Sequence, residues 1–412
     1  LDGAEQDAAL AAPEREARRR VIVATNIAET SLTVSGVTTV IDSGLQKVAR
    51  YDEGRAIDCL TTERVTIDSA DQRAGRAARL GPGIVRRLWD ERDRLRAHRE
   101  PEIHRVDLTG LLLSVLAWGA RPDTFEWFDP PSAERISAAM TLLEQLGAAD
   151  RNGLTAIGRQ MQRLPLSPRL ARVLIAGSGS LEACAACARL SEPTTADHRH
   201  VEQNLNKAAA YLLRDSYRAH ITETALQRAL LAGYPDRVAK RRPPSGSQTT
   251  QHAFTLATGH GAVLARECHL EDAEWLIALD VTAGRTSAHT QALIRAASGI
   301  DAEWLTPTRA ETVHELDEST GTVKAREVEW YHALLLSEHP VPPDEGRRIE
   351  LLVEAWLARE PDDVSRRLLR RLEFAGIDAD VKTLAREAAR SVRKLADIVL
   401  TEDALPWDIR QQ

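Results

Sequence analysis

The sequence predicts a multidomain protein that opens with half of an α/β nucleotide-handling domain and continues through helical, small β and again helical modules. Three observations carry this. At 412 residues the chain exceeds the size at which one hydrophobic core stops growing, so several domains are expected. Short apolar runs bounded by turn residues alternate with polar segments near the start, the pattern of buried parallel strands. Between two of those runs lies Gln72-Arg73-Ala74-Gly75-Arg76-Ala77-Ala78-Arg79, three arginines and a glutamine in eight residues.

The first run, Val21-Ile22-Val23-Ala24, follows a polar helical opening and reads as a buried parallel strand. The hydroxyl-rich loop Thr25 to Thr33 comes next, at the strand's C-terminal end, where open α/β sheets place ligands. A second strand is expected at Thr39-Val40-Ile41-Asp42, stopped by Ser43-Gly44, and a third at Gly83 to Trp89. The arginine octet between them suits phosphate. A guanidinium is planar, always charged and matched to pairs of phosphate oxygens, so several aimed at one point stabilise charge developing on a transferring phosphoryl group. Arg76 and Arg79 are three apart, which on a helix puts them on one face. Gln72 lies one turn further back on that face, suited to orient an attacking water. Alone, the octet reads equally well as a solvated arginine-rich helix.

Leu111 to Leu116 reads as a buried helix ended near Trp118-Gly119. Pro130-Pro131-Ser132 starts a second helix with Ile136, Met140, Leu143 and Leu146 at helical spacing, stopped by Gly147. With the polar turn Asp150 to Gly153 these suggest a winged-helix module, more a packing scaffold than a DNA reader. Leu170 to about Leu231 is an Ala- and Leu-rich helical bundle with a polar break from Glu192 to His200. From Tyr234 the pattern changes to short strands: Phe254/Leu256 and Ala262/Leu264 alternate around Gly259-His260-Gly261, Trp275 to Leu279 is a buried strand, and Asp317 to Gly321 marks another hairpin. An OB-like barrel that carries single-stranded nucleic acid fits this pattern, with a purely packing β domain as the alternative. The basic cluster Arg237, Lys240, Arg241 and Arg242 favours RNA contact and reads equally well as a solvated face. After Pro340-Val341-Pro342-Pro343 three helical faces follow: Ile349, Leu352, Val353 and Trp356; Val364, Leu368 and Leu372; Val381, Leu384, Ala388, Val392 and Leu395. The expected boundaries are 1–105, 106–168, 169–232, 233–340 and 341–412.

The net charge is −7, so any nucleic acid must be bound by a local basic channel and not by a global field. Four scattered cysteines exclude a disulfide framework and fit a reducing cytoplasm, where the protein is expected to reside. Cys184 and Cys187 form a CxxC inside an apolar helical run with no second pair nearby, so they are expected to be buried in the helix and not to bind zinc. Asp197, His198 and His200 lie in a polar connection without a fourth ligand; no metal site is expected. No apolar run approaches the ~18 residues needed to span a bilayer. The chain opens on Leu1 and reaches a strand signal within about twenty residues, so its natural start is expected to lie upstream. The final residues carry no domain-closing signal, and truncation is expected there too.

Ala24-Thr25-Asn26-Ile27-Ala28-Glu29-Thr30-Ser31-Leu32-Thr33 and the octet 72–79 resemble the fifth and sixth motifs of the DEAH/RHA group of nucleic-acid helicases, in order and at a plausible separation. Residues 116–148 and 154–174 resemble the domain that follows the motor in that group. GYPDRVAKRR at 233–242, FTLATGHGAVL at 254–264 and WLIALDV at 275–281 resemble its HrpB branch in bacteria. The resemblance covers almost the whole chain. It implies a partial second RecA-like motor lobe, ATP and Mg2+ as cofactors, and RNA as partner, with single-stranded DNA as the alternative. Carried over, it makes Gln72, Arg76 and Arg79 catalytic, the two arginines as fingers on the γ-phosphate. Ser31, Thr33, Arg73 and Gly75 fall at the nucleotide, Arg73 chiefly as a brace of the domain cleft, and Thr25 and Asn26 near the nucleic-acid backbone. Ala78 stands where the family usually has Gly, a mild change in a helix. Ser35 stands where some relatives have an acidic residue, which leaves a ribose contact open.

The 412 residues contain no G-x-x-x-x-G-K-[ST] phosphate loop and no Asp-Glu-Ala-His or similar magnesium-holding pair. In the resembled family both belong to a first motor lobe. The expectation is therefore a chain that supplies arginine fingers and nucleic-acid contacts to ATP-driven unwinding and hydrolyses ATP negligibly alone. The alternative is a non-catalytic nucleic-acid-binding or regulatory platform, distinguished by whether a phosphate loop is encoded upstream in frame.

Overall fold

A computed structural model describes the chain except residues 1–7, 9, 12–19, 30–33, 35, 53–56, 80, 91, 192–198, 215, 244–251, 271, 283–291 and 406–412. It falls into two compact units, Leu1–Trp304 and Leu305–Gln412. No described helix is long and apolar enough to cross a membrane.

In the first unit, β1 (Thr39–Asp42) and β4 (Ile84–Arg87) pair in parallel, Thr39 opposite Ile84 and Asp42 opposite Arg87. These are two of the three strands read from the sequence. The run Val21 to Ala24 is not a strand: Val21 and Val23 are exposed, at 87% and 95%. A strand buried on both faces needs ladder partners and covering layers, and among the described residues the parallel sheet consists of β1 and β4 alone. The sequence reading missed the antiparallel hairpin of β2 (Leu45–Asp52) and β3 (Ile57–Arg64), paired from Leu45–Arg64 to Asp52–Ile57. Both strands are largely polar, so no apolar alternation marks them. Helix α1 (Ile67–Gly75) follows.

Helices α2 (Thr109–Ala117) and α3 (Ala133–Gln145), the short hairpin β5 (Ala149–Asp150) with β6 (Gly153–Leu154), and α4 (Ala156–Gln162) form the next module. Ser132 starts α3 as its sequence suggests, its hydroxyl accepting from the Arg135 amide, and Thr155 caps α4 the same way through Gly158. Helices α5 (Pro168–Ala176), α6 (Leu181–Ser191), α7 (Arg199–Leu212) and α8 (Glu223–Gly233) make the bundle. Leu170, Val173, Leu174, Cys184, Cys187 and Ala209 are buried there. Burial pushes both α6 thiols up, Cys184 to about 11, so they are packing groups and not thiolates. Asp197 and His198 lie outside the described residues.

The barrel comprises β7 (Val238–Arg241), β8 (Ala253–Leu256), β9 (Gly261–Leu264), β10 (Trp275–Thr282) and β11 (Ala292–Gly299), closed in the order β7-β8-β9-β11-β10. The β9–β11 pair is parallel and the other pairs are antiparallel. Its core of Phe254, Leu256, Leu264, Leu276 and Ile294 also includes Ile57 from β3.

The second unit holds the meander β12 (Arg309–Asp317), β13 (Thr322–Tyr331) and β14 (Leu334–Val341), then α9 (Glu345–Leu357), α10 (Asp363–Phe374) and α11 (Val381–Arg390). The hairpin at Asp317 to Gly321 thus lies here and not in the barrel, because Val323 packs with Ile349, Leu352, Trp356, Leu368 and Leu384. Asp344, Asp362 and Asp380 cap the three helices through carboxylate acceptance of backbone amides. Val364, read as a core position of α10, is exposed; Ser365 takes its place in the interior, its hydroxyl held by Asp362.

Candidate functional site

The loop after residue 24 and the arginine octet meet at Glu29. Asn26–Glu29 forms a single 3-10 turn that turns the Glu29 carboxylate inward, where it is buried. One of its oxygens accepts from Arg73 Nε at 3.1 Å; the other accepts from Ser69 Oγ at 2.8 Å and Arg99 Nη2 at 3.1 Å. Arg73 Nη1 also reaches Asp42 Oδ1 at 2.8 Å and the Leu45 carbonyl at 3.0 Å. Arg99 Nη2 continues to Gln46 Oε1 at 2.8 Å. Buried carboxylates need such partners, since an unpaired ion in the interior costs several kcal/mol or more. Two carboxylates and two guanidiniums therefore lock the loop, β1, β2 and α1 into one piece.

The octet is only half helical. Helix α1 ends at Gly75, and residues 76–78 form a turn in which Arg76, Ala77 and Ala78 amides bond to carbonyls three residues back. Arg76 and Arg79 therefore lie past the end of α1, in a turn and not on one continuous α-helix as their spacing suggests. Gly83 explains the tight exit: a Cβ there would overlap the Ala77 carbonyl, so the chain after the turn packs directly on its backbone. Ala78 is exposed in this turn, and its methyl meets no positive-φ strain.

The octet's side chains differ in placement. Gln72 is exposed on the last turn of α1, and Arg79 is exposed beyond the helix. Arg76 turns back, its Nε donating to the Glu29 carbonyl at 3.0 Å and its Nη2 to the same oxygen. Arg73 points inward, onto Glu29, Asp42 and the Leu45 carbonyl. Gly75 is exposed with nothing near its Cβ direction, leaving an open approach to the backbone. Ser31 and Thr33 lie outside the described residues.

Thr25 and Asn26 line an open groove of about 420 Å³ together with Lys47, Leu60, Arg99 and Arg105. Asn26 Oδ1 accepts from the Lys47 amide at 3.2 Å, fixing the loop against β2. The groove and the arginine turn are thus two outlets of one segment, 25–29.

The basic cluster does not form one face. Arg237 is buried beneath Tyr234, 5.7 Å from its ring centre. Arg241 lies over Phe254 and donates to the Leu270 and Ala273 carbonyls at 3.3 and 2.8 Å. Arg237 ends the 3-10 turn before β7 and Arg241 ends the strand itself, and the fold takes up both, the first against an aromatic ring and the second on loop carbonyls. Lys240 sits over Trp275 at 4.8 Å, and Arg242 donates to Thr255 Oγ1 at 2.9 Å; both are half-buried.

Glu29, Asp42, Ser69 and Arg99 escaped the sequence reading. Glu29 had a signal, an acidic residue in a loop facing an arginine octet; Arg99 had none. The donor set here is cationic at its exposed end and suits a phosphate. It does not suit Mg2+, since the Glu29 and Asp42 carboxylates are both engaged by arginine and the described residues contain no group of three or more His, Cys, Asp or Glu able to hold a metal.

Residues 1–81 match the model of the helicase conserved C-terminal domain. The chain is 37% identical over 333 residues to the ATP-dependent RNA helicase HrpB of Escherichia coli, covering 76% of this chain and 40% of that protein. It is 39% identical over 168 residues to the mouse ATP-dependent RNA helicase DHX33, covering 39% of this chain and 24% of the relative. Two crystal structures from E. coli, of the DExH-box NTPase HrpB and of the DEAH/RHA helicase HrpB, match all of this chain with TM-scores of 0.68 and 0.70 at 29% and 27% identity. They are covered to 56% and 57% of their lengths, so the chain spans between two fifths and three fifths of the HrpB proteins it matches.

Proposed function

Because this chain is similar along its whole length to the C-terminal portion of DEAH/RHA-type helicases of the HrpB branch, we propose that it is the part of an ATP-dependent RNA helicase that completes the nucleotide site from the second motor lobe. The observation that carries this is Glu29, whose carboxylate holds Arg73 while its carbonyl holds Arg76. One residue thereby ties the loop at the groove to the turn that presents the arginines.

In this reading Arg76 and Arg79 meet the γ-phosphate and Gln72 orients the attacking water, while the open backbone at Gly75 admits the nucleotide closely. ATP supplies the phosphoryl group whose developing charge the guanidiniums stabilise. Magnesium and the phosphate cradle belong to another lobe. Ser31 and Thr33 sense the bound nucleotide, and Thr25 and Asn26 contact the RNA backbone in the groove beside Lys47. Rigid coupling through Glu29 lets closure at the phosphate shift the groove. The strand order of the barrel, with its single parallel pair, supports an OB-type module, and Lys240 and Arg242 are its candidates for strand contact. The α2–α4 module with its β5–β6 hairpin supports a winged-helix reading. Without the cradle the chain alone turns over ATP negligibly.

The test is RNA-stimulated ATP turnover in an intact protein that carries both lobes. Arg76→Ala or Arg79→Ala is expected to lower turnover by roughly 10³-fold, the scale of a lost arginine finger, with nucleotide-free RNA binding retained. Unchanged turnover in both variants removes the assignment.

A further inference from the structure

The solvent face of α10 sets an exposed aromatic ring among arginines. Ser365, Leu368 and Leu372 are buried in that unit's core, which fixes the helix's rotation. At 3.6 residues per turn the opposite face then carries Arg366, Arg367, Arg370 and Phe374, with Arg371 on its flank. All five are exposed, and Phe374 is 96% exposed. Arg366, Arg370 and Phe374 follow at i, i+4 and i+8, so successive groups rise about 6 Å along the helix.

Nearby carboxylates quench little of this charge. Arg366 donates to the Pro361 carbonyl at 2.9 Å and lies 3.7 Å from Asp363, and Arg371 pairs with Glu402 at 2.8 Å. Arg367 and Arg370 make no hydrogen bond or ion pair with the described residues. Residues 364–394 hold nine Lys/Arg against four Asp/Glu, in a chain whose total is −7. Unspent guanidiniums around an open aromatic ring match a polymer that offers phosphates at intervals and a flat base between them. An acidic peptide would satisfy the charge but leave the ring without a stacking partner.

We infer that the α10 face of Arg366, Arg367, Arg370 and Phe374 is a second contact for single-stranded RNA, separate from the groove at Thr25 and Asn26. The arginines take backbone phosphates and Phe374 stacks one base. The choice of RNA rests on the helicase reading above.

The experiment titrates the 412-residue chain into a fluorescein-labelled oligouridine across a range of KCl concentrations and follows anisotropy. Arg367→Gln with Arg370→Gln is expected to flatten the log K against log salt slope by about 1.4, from about 0.7 per single-strand phosphate contact. Phe374→Ala is expected to weaken binding about 5- to 160-fold with the slope unchanged, the range for one lost base stack. Wild-type slope and affinity in both variants overturn this site and leave the motor assignment standing, because that assignment is read by turnover of the Arg76 and Arg79 variants. Loss of polyglutamate binding in these variants, with oligouridine binding unaltered, overturns it in favour of an acidic protein partner.

Discussion

Arg73 donates to the Glu29 carboxylate at 3.1 Å, and Glu29 in turn holds Arg76 by its carbonyl, so a brace and a presented arginine share one acceptor residue. The pair is nearly dry, with side-chain exposures of 13% for Arg73 and 4% for Glu29. Removing the carboxylate charge leaves Arg73 with Asp42 as its one carboxylate partner beside the Leu45 carbonyl, and Arg99 with neutral acceptors among the described residues.

Glu29→Gln is therefore expected to destabilise the first unit by about 3 kcal/mol, the scale of a broken buried pair. Urea denaturation followed by tryptophan fluorescence reads this. Since the Gln backbone still offers its carbonyl to Arg76, the variant separates bracing from presentation. Unaltered stability sinks the view that Glu29 is the hub.

Gly83 offers a second route to the same turn without touching charge. A methyl there overlaps the Ala77 carbonyl, and Ala77 is itself buried, so the turn at 76–79 must shift outward. Gly83→Ala is expected to cost about 1–3 kcal/mol by overpacking. In an intact two-lobed protein it should lower ATP turnover about 10²-fold, as a displacement near 1 Å does, while RNA binding holds. Normal turnover separates the arginine turn from the chemistry.

The capped helix at Ser132, the buried CxxC helix and the barrel's central strands were legible because apolar periodicity and turn residues report packing directly. The strands at 39–42 and 84–87 were marked instead by apolar runs between turn residues, although β4 is exposed along its length. What stayed hidden depends on contacts far apart in sequence. Arg99 meets Glu29 across 70 positions, and no local pattern announces it. The basic cluster misled for a related reason: charge in a sequence reads as surface, yet Arg237 and Arg241 spend theirs on an aromatic face and on loop carbonyls. The arginine octet was recognised, but its helix stops early because Gly75 and the backbone contact at Gly83 favour a turn.

Ile57 marks another long-range tie. It sits at the end of the polar hairpin β2–β3 and is 1% exposed among Phe254, Leu276 and Ile294 of the barrel. Ile57→Ala is expected to destabilise by about 2–5 kcal/mol, and Ile57→Val by about 0.5–1.5, the range for deleted buried methylenes. Amide exchange should show faster opening in both β3 and β10. Exchange that rises in β3 alone indicates that the hairpin only rests on the barrel.

Tyr51, on the same hairpin, gives a prediction in pH. Burial raises its phenol from the ordinary 10 to about 12, with the Asp107 charge adding and Arg169 and Arg237 opposing. A folded pKa above the unfolded one means the native state keeps the proton longer. Its contribution is then complete below about pH 10 and is lost as pH rises toward about 12. Burial raises Tyr234 too and pushes the Cys184 thiol to about 11, so alkaline unfolding has several sources. The comparison with Tyr51→Phe isolates one of them, since phenylalanine has no proton to lose. The stability difference between the two proteins should be flat through neutrality and shift toward the variant by about 2 kcal/mol or less across the alkaline window. A difference that stays flat to about pH 12 would mean that the Tyr51 hydroxyl is solvated in the folded chain.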